Sequence, residues 1–478
     1  MSSPHAIRCR FAPAPSGSLH VGSAHTALFN WLFARHHGGV FVLRVEDTDP
    51  ERVVPGGIQS VQAALSWLGL DWDEGPGVEG PFGPYVETQR FDLHRQVAHR
   101  FLEQGHAYRC YCTPEELAER RRQQESRGEP PGYDGRCRRL GDAERAAFEA
   151  EGRPWAVRFA VPEGRDVEFH DLVRGDVRFA NADLRDFIIL RSDATPTYLL
   201  ASGIDDHLME MTHVIRGEDL VPSTPRQILM FEALGAEHPQ YAHLPLILGP
   251  DRAKLSKRHG AVAVEEFRDR GYLPEAMVNY LALLGWSPGG DQEVLAVPEL
   301  IARFDIAAVS HHPSTFDVEK LTWMNGHYIR QLPPGELAER LIPALEARDV
   351  PVAPAVVGEA VPLIQERMST LAEAGELLGF LFADVEPDAE ARKQIATVDP
   401  EYLREAASRL EAVEEWTVEE IKSVLDDLAA SAGLNRTRGW QPIRAAVTGR
   451  RVSPPLPESM ELLGKERTLE RLRRAAER

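Results

Sequence analysis

At 478 residues the chain is too long for a single hydrophobic core, so about two to four domains are expected. Its 43% apolar and 27% charged residues exclude a disordered chain, and no apolar run approaches the ~18–20 residues that span a bilayer. The formal charge of −20 argues against nucleic acid held over the whole surface, while leaving room for a local basic patch.

In chain order, residues 7–11 read as a short apolar strand and 12–19 as a loop of proline, glycine and serine. Residues 20–35 carry Ala24, Leu28, Trp31 and Leu32 at helical spacing, and a second strand follows at 40–45. The loop therefore falls between a strand and a helix N-terminus, where free N–H groups and the helix dipole favour an anion. Gly17 and Gly22 let backbone approach a nucleotide closely, and His20 either donates to a phosphate or caps the helix.

Residues 107–189 are loop-rich and mixed, with Pro130, Pro131 and strand candidates at 155–161 and 187–190, as for an insertion that splits a nucleotide-binding domain. Arg120, Arg121, Arg122, Arg127, Arg136, Arg138 and Arg139 crowd into it, either as a basic surface able to hold RNA or as a solvated arginine-rich helix. Alternating strand and helix character returns over 197–248. Lys254-Leu255-Ser256-Lys257-Arg258-His259-Gly260 then sets cations around a serine, in a loop able to close on a triphosphate.

From Pro274 helix signals dominate. Leu337, Leu341, Ile342 and Leu345, and later Leu403, Leu410, Val413, Ile421, Val424, Leu425 and Leu428, stand at helix-like spacings assigned to packing. Four cysteines in so long a chain, with no secretory pattern over residues 1–5, lead to the expectation of a reducing, cytoplasmic setting.

Pro13-Ala14-Pro15-Ser16-Gly17-Ser18-Leu19-His20-Val21-Gly22-Ser23 and the Lys254 loop, in this order and separation, resemble the HIGH and KMSKS signatures of class I aminoacyl-tRNA synthetases. Further blocks narrow the likeness. Arg10-Phe11-Ala12-Pro13, Leu43-Arg44-Val45-Glu46-Asp47-Thr48-Asp49, Gly69-Leu70-Asp71-Trp72-Asp73-Glu74-Gly75-Pro76, Asp205-Asp206-His207 and His213-Val214-Ile215-Arg216-Gly217-Glu218-Asp219 resemble bacterial glutamyl-tRNA synthetases. Phe316-Asp317-Val318-Glu319-Lys320-Leu321, Trp323-Met324-Asn325-Gly326 and Pro442-Ile443-Arg444-Ala445-Ala446-Val447-Thr448-Gly449 extend the likeness over nearly the whole chain.

The resemblance implies an α/β fold: a Rossmann-type catalytic domain (1–106 and 190–253) split by a connective insertion (107–189). An all-α stem-contact domain with the KMSKS-like loop (254–326) and a helical anticodon-binding region (327–478) would follow. It implies a ligase that uses ATP with Mg²⁺ to make glutamyl-adenylate and passes glutamate to the 3′-terminal adenosine of tRNA(Glu), usually as a monomer.

His20, Lys254, Ser256 and Lys257 are the implied catalytic contacts, and Gly17, His20, Gly22 and Lys257 those to ATP. Arg10, Arg216 and Tyr198 are expected to hold the glutamate side-chain carboxylate and Glu46 the α-ammonium, with Ala12 and Ser202 completing the pocket. An internal ion pair between Glu46 and one of these arginines is the structural alternative. Ala14 replaces the family's usual serine, and Ser202 an asparagine found in some members, so one polar contact is in question at each.

Cys110-x-Cys112 followed by Cys137 matches the zinc spacing of some members. Arg139 occupies the place of the usual histidine ligand, leaving Tyr133 as the implied fourth. Arg367 is the implied anticodon reader, discriminating against tRNA(Gln), with pairing to Glu366 or Glu373 as the alternative. A glutaminyl enzyme is disfavoured by the helical C-terminal stripes, and a shorter tRNA-modifying paralogue would end near Tyr328. A non-enzymatic tRNA-binding protein is opposed by the presence of His20, Lys254 and Lys257.

Overall fold

The computed structural model describes residues 6–346 and 352–477, apart from the side chain of Lys257. It divides into two units, residues up to 266 with 278–317, and 267–277 with 318 onward.

In the first unit, β1 (Arg8–Phe11), α1 (Val21–His36) and β2 (Val40–Leu43) open the chain, and α2 (Gly57–Trp67) and α3 (Phe91–Glu103) follow. The insertion contributes β3 (Ala107–Cys110), α4 (Pro114–Ser126), α5 (Asp142–Ala150), β4 (Ala156–Phe159), β5 (Asp166–Asp171), β6 (Gly175–Ala180), α6 (Asn181–Leu184) and β7 (Phe187–Leu190). The chain returns through α7 (Tyr198–Leu208), β8 (His213–Gly217), α8 (Thr224–Leu234) and β9 (Gln240–Leu244).

Strands β1 and β2 pair in parallel, as do β8 and β9. Thr212, one residue before β8, donates its N–H to the Arg8 carbonyl at 3.0 Å and so ties the two pairs together. Of these strands only β2, Val-Phe-Val-Leu, is apolar throughout, while β1, β8 and β9 bury charged or polar side chains, Arg10, Arg216 and His243 among them. Between β1 and β2, α1 buries Val21, Ala24, Leu28, Phe29, Trp31 and Leu32 and has no broad polar face.

The insertion is not detached from this core. Strands β3, β4 and β7 form their own antiparallel sheet, but the β5–β6 hairpin joins β9 through a parallel contact of Asp171 with Tyr241. Val157, Phe159, Val167 and Ile189 of the insertion pack in one cluster with Phe101, Leu200, Ile204, Val214 and Ile228.

The second unit is helical. Its helices include Val318–Gln331, Pro334–Glu346, Pro400–Glu411, Val418–Ser431, Arg436–Thr448 and Lys465–Ala476. Asp388, Asp399, Thr417 and Asn435 each cap a helix by accepting a backbone N–H, as their types favour. Leu337, Leu341, Leu345, Leu403, Leu410, Ile421, Leu425 and Leu428 are fully or almost fully buried in one core, with Ile342 and Val424 at its margin.

Candidate active site

A cleft of about 990 Å³ opens at the carboxyl ends of β1, β8 and β9, the usual ligand position in an open parallel sheet. The sequence folds this way because β1 ends at Phe11 and the proline-rich loop cannot extend the ladder. Gly17 sits in that loop with φ of 101°, a conformation that disfavours a side chain.

Arg10, Ala12, Ala14, His20, Gly22, Glu46, Tyr198, Arg216 and Lys254 all line the cleft. Gly17, Ser202 and Ser256 do not. Ser202 is fully buried on α7, with its hydroxyl 3.3 Å from Arg44 Nη2. Ser256 donates its N–H to His259 Nδ1 at 3.1 Å. Lys257 begins a short 3-10 turn, and its side chain lies outside the described residues.

His20 caps α1 through one of its two ring nitrogens. As N-cap of α1 its Nδ1 accepts the Gly22 N–H at 3.0 Å, which leaves the proton on Nε2. Burial, then the nearby charge of Lys254, lowers its pKa and keeps the ring neutral. Lys254 itself lies 3.8 Å from Asp219 at the exposed edge of the cleft.

The carboxylate-binding end is a buried charge network. Arg10 donates through Nε and Nη2 to Asp206 at 2.8 and 3.2 Å, and Arg44 meets the same aspartate at 2.8 Å. Burial opposes ionisation of Asp206, but the two guanidiniums hold its carboxyl below the usual carboxylate range. Glu46 pairs with Arg44 at 3.1 Å. Burial and the charge of Glu46 push Glu87 up to about 9, and its buried Oε1 has no hydrogen-bond partner among the described residues. Arg216 donates from Nε to His243 and from Nη2 to Thr224, and its buried Nη1 has no hydrogen-bond partner among the described residues.

Sequence reasoning missed Asp206, Arg44 and Glu87 as parts of the site. A signal existed: Asp205 and Asp206 fall on a helix otherwise apolar at Leu199, Leu200 and Ile204, and charges on a buried face need partners.

In the insertion the Sγ atoms of Cys110, Cys112 and Cys137 lie within 4.8 Å of one another. The Tyr133 hydroxyl is 3.7 Å from Cys110 Sγ and accepts the Cys137 N–H at 2.8 Å. Arg139 turns elsewhere, to the Asp134 carbonyl. Cys9 is buried on β1, its thiol raised to about 12 by burial. The crowded arginines are charge-compensated: Arg120 pairs with Asp134, Arg121 with Glu125, Arg122 with Glu119, Arg127 with Glu129 and Arg138 with Asp186.

In the helical unit Arg367 is exposed and donates to the Ser453 carbonyl at 2.9 Å, which Arg444 also approaches at 3.1 Å. Glu373 instead accepts the N–H groups of Ser369 and Thr370.

This strand–loop–helix cleft and the helical unit belong to a class I aminoacyl-tRNA synthetase. Residues 6–323 match the family described as tRNA synthetases class I (E and Q), catalytic domain, and residues 336–476 match the anticodon binding domain. The glutamate–tRNA ligase of Moorella thermoacetica is 48% identical over 98% of both chains, and that of Geobacillus stearothermophilus is 45% identical over 98% of both. A crystal structure of a glutamate tRNA ligase from Elizabethkingia meningosepticum in complex with its amino acid superposes with a TM-score of 0.88 at 34% identity, covering 99% of each chain. The chain belongs to the glutamate–tRNA ligase family, and its activity is that of a ligase forming an aminoacyl-tRNA.

Proposed function

We propose that Arg10, Arg216 and the Tyr198 hydroxyl hold the side-chain carboxylate of glutamate, that Glu46 takes its α-ammonium, and that ATP lies over His20 and Gly22 toward Lys254. The observation that carries this reading is the buried Nη1 of Arg216, which has no hydrogen-bond partner among the described residues, on a residue that lines the cleft with Arg10 and Tyr198. A buried N–H left without a partner is costly, and a carboxylate oxygen satisfies it. Glutamine fits less well, because its amide has to turn an NH₂ donor toward the guanidiniums, which only donate.

The α-carboxylate then attacks the α-phosphorus of ATP and releases pyrophosphate. His20 Nε2–H donates to phosphate, and Lys254 and Lys257 neutralise charge on the leaving group, with Ser256 shaping their loop. Lys254 and Asp219 present a cation and a carboxylate at the cleft edge, a mixed environment suited to ATP with Mg²⁺. Magnesium would supply charge neutralisation on the phosphate oxygens. The terminal ribose hydroxyl of tRNA(Glu) takes the glutamyl group in the second step.

The insertion at 107–189 is proposed to receive the acceptor end, 254–326 the stem and 327–478 the anticodon, where Arg367 favours tRNA(Glu) over tRNA(Gln). Cys110, Cys112, Cys137 and Tyr133 have the donor chemistry and proximity for tetrahedral zinc, which would brace the insertion. No helix among the described residues is long and apolar enough to cross a membrane, and the proposed working form is a cytoplasmic monomer.

The test is discrimination between glutamate and glutamine in tRNA charging by Arg216→Ala and Arg10→Ala. Each is expected to lose roughly 2–5 kcal/mol of that preference, read from kcat/KM. An unchanged preference in both would place the carboxylate elsewhere.

A further inference from the structure

Arg216 is held from behind by a chain of buried groups that begins in the insertion. Asp171, the last residue of β5, is 1% exposed, and His243 on β9 is fully buried. Asp171 Oδ1 accepts three backbone N–H groups, from Val173 at 3.0 Å, Arg174 at 2.9 Å and His243 at 3.2 Å. Its Oδ2 accepts His243 Nδ1 at 2.5 Å.

Those contacts fix the tautomer. A carboxylate offers only acceptors, so Nδ1 carries the proton and Nε2 presents a lone pair. Burial, then the nearby Arg216 charge, outweighs the Asp171 bond and lowers His243, keeping the ring neutral. Nε2 receives the Arg216 Nε–H at 3.2 Å and the Thr224 hydroxyl at 3.0 Å, and that hydroxyl accepts Arg216 Nη2 at 2.8 Å. The Nε/Nη2 edge of the guanidinium is thus occupied, and Nη1 of this cleft-lining residue has no hydrogen-bond partner among the described residues.

We infer that Asp171 and His243 are positioning residues for glutamate selection: through the tautomer they impose, they clamp the Nε/Nη2 edge of Arg216 so that its Nη1 is left for the substrate carboxylate. The inference rests on the reading that Arg216 binds that carboxylate. It makes a residue of the insertion part of amino-acid recognition without touching the amino acid.

Asp171→Asn is the sharpest probe, because the site dictates the orientation of the new amide. Three backbone donors require its oxygen at the Oδ1 position, which turns its NH₂ toward His243 Nδ1. The ring must then carry its proton on Nε2, where two donors oppose each other. The expected result is a 10- to 100-fold rise in the KM for glutamate, with the KM for ATP and the melting temperature little changed. Imidazole-nitrogen NMR of histidine-labelled protein should show the shifted tautomer.

His243→Leu is expected to raise the KM for glutamate in the same way, with some loss of stability, whereas His243→Gln, whose amide oxygen can accept the Arg216 Nε–H, should stay within a few-fold of wild type. Should Asp171→Asn not fold, the two His243 variants carry the test. Wild-type KM for glutamate in Asp171→Asn and His243→Leu, or an equal rise in the KM for ATP, overturns the clamp. Arg216→Ala separates the two readings: if it leaves the KM for glutamate unchanged, carboxylate binding by Arg216 falls, and if it alone raises that KM, only the clamp falls.

Discussion

Arg10 and Asp206 form a two-point ion pair, Nε to Oδ1 at 2.8 Å and Nη2 to Oδ2 at 3.2 Å, with both side chains about 3% exposed. The pair joins the first strand of the chain to α7, almost two hundred residues later. Because Arg44 shares the same carboxylate, Asp206 is the anion that keeps two buried cations compensated.

Asp206→Ala should therefore destabilise the catalytic unit by about 3–5 kcal/mol, the usual cost of leaving a buried charge unpaired. Urea unfolding followed by tryptophan fluorescence reads this directly. A loss below about 1 kcal/mol would mean that water reaches the two guanidiniums in solution.

His20 lets capping be separated from chemistry. Asparagine is as good an N-cap as any residue but has no donor at the Nε2 position, so His20→Asn should keep the melting temperature while slowing adenylate formation about 10²-fold. His20→Ala should lose the rate and also about 1 kcal/mol of stability. Single-turnover rates near wild type in both variants would remove His20 from the reaction.

Glu87 predicts an inverted pH response. Its folded pKa, about 9, lies above the ordinary glutamate value, so the folded state binds more protons than the unfolded state between roughly pH 4.5 and 9. The stability it contributes is complete below that window and is lost as pH rises through it. Glu87→Gln, an isostere of the neutral acid, should match wild type near pH 5 and exceed it in stability near pH 8. Equal pH profiles for the two proteins would show that Glu87 is ionised when folded.

For the thiol cluster, protein purified without chelator should contain about one zinc per chain by elemental analysis, and Cys137→Ser should abolish it. Metal content near zero in the wild-type chain ends the zinc proposal.

Arg367→Gln should relax the choice of tRNA. An arginine fork only donates and suits a cytosine's acceptors, whereas glutamine can both donate and accept and so tolerates guanine. Charging of purified glutamate and glutamine tRNAs by both proteins decides this. Efficient glutamylation of the glutamine tRNA by the wild type would refute the assignment.

How much of this was visible in the chain depends on the range of the forces involved. The β1–loop–α1 unit was legible because a short apolar run, a proline-rich loop and a helical stripe are all local signals. The helical C-terminal unit was legible for the same reason, down to Leu337, Leu341 and Leu345 as core. The partner of Arg10 was not: a guanidinium's counter-ion is chosen by the fold, and nothing near Arg10 points to Asp206. Ser202 enters the pocket only by resemblance, and its contact with the buried Arg44 was not legible, because small polar side chains carry no signature of depth. The pairing of β5 with β9 was hidden in the same way, since strand partners are long-range choices.

That last pairing bears on how the protein can be engineered. A segment inserted between two strands is commonly treated as a cassette, to be trimmed or exchanged among relatives. Here the edge of β9 and several positions of the shared apolar cluster are completed by the inserted segment itself. Excising it would turn the interior strand β9 into an unpaired edge and open the interior to water, so a graft that replaces residues 107–189 must bring its own counterpart of Asp171 and of the Val157, Phe159 and Val167 surface.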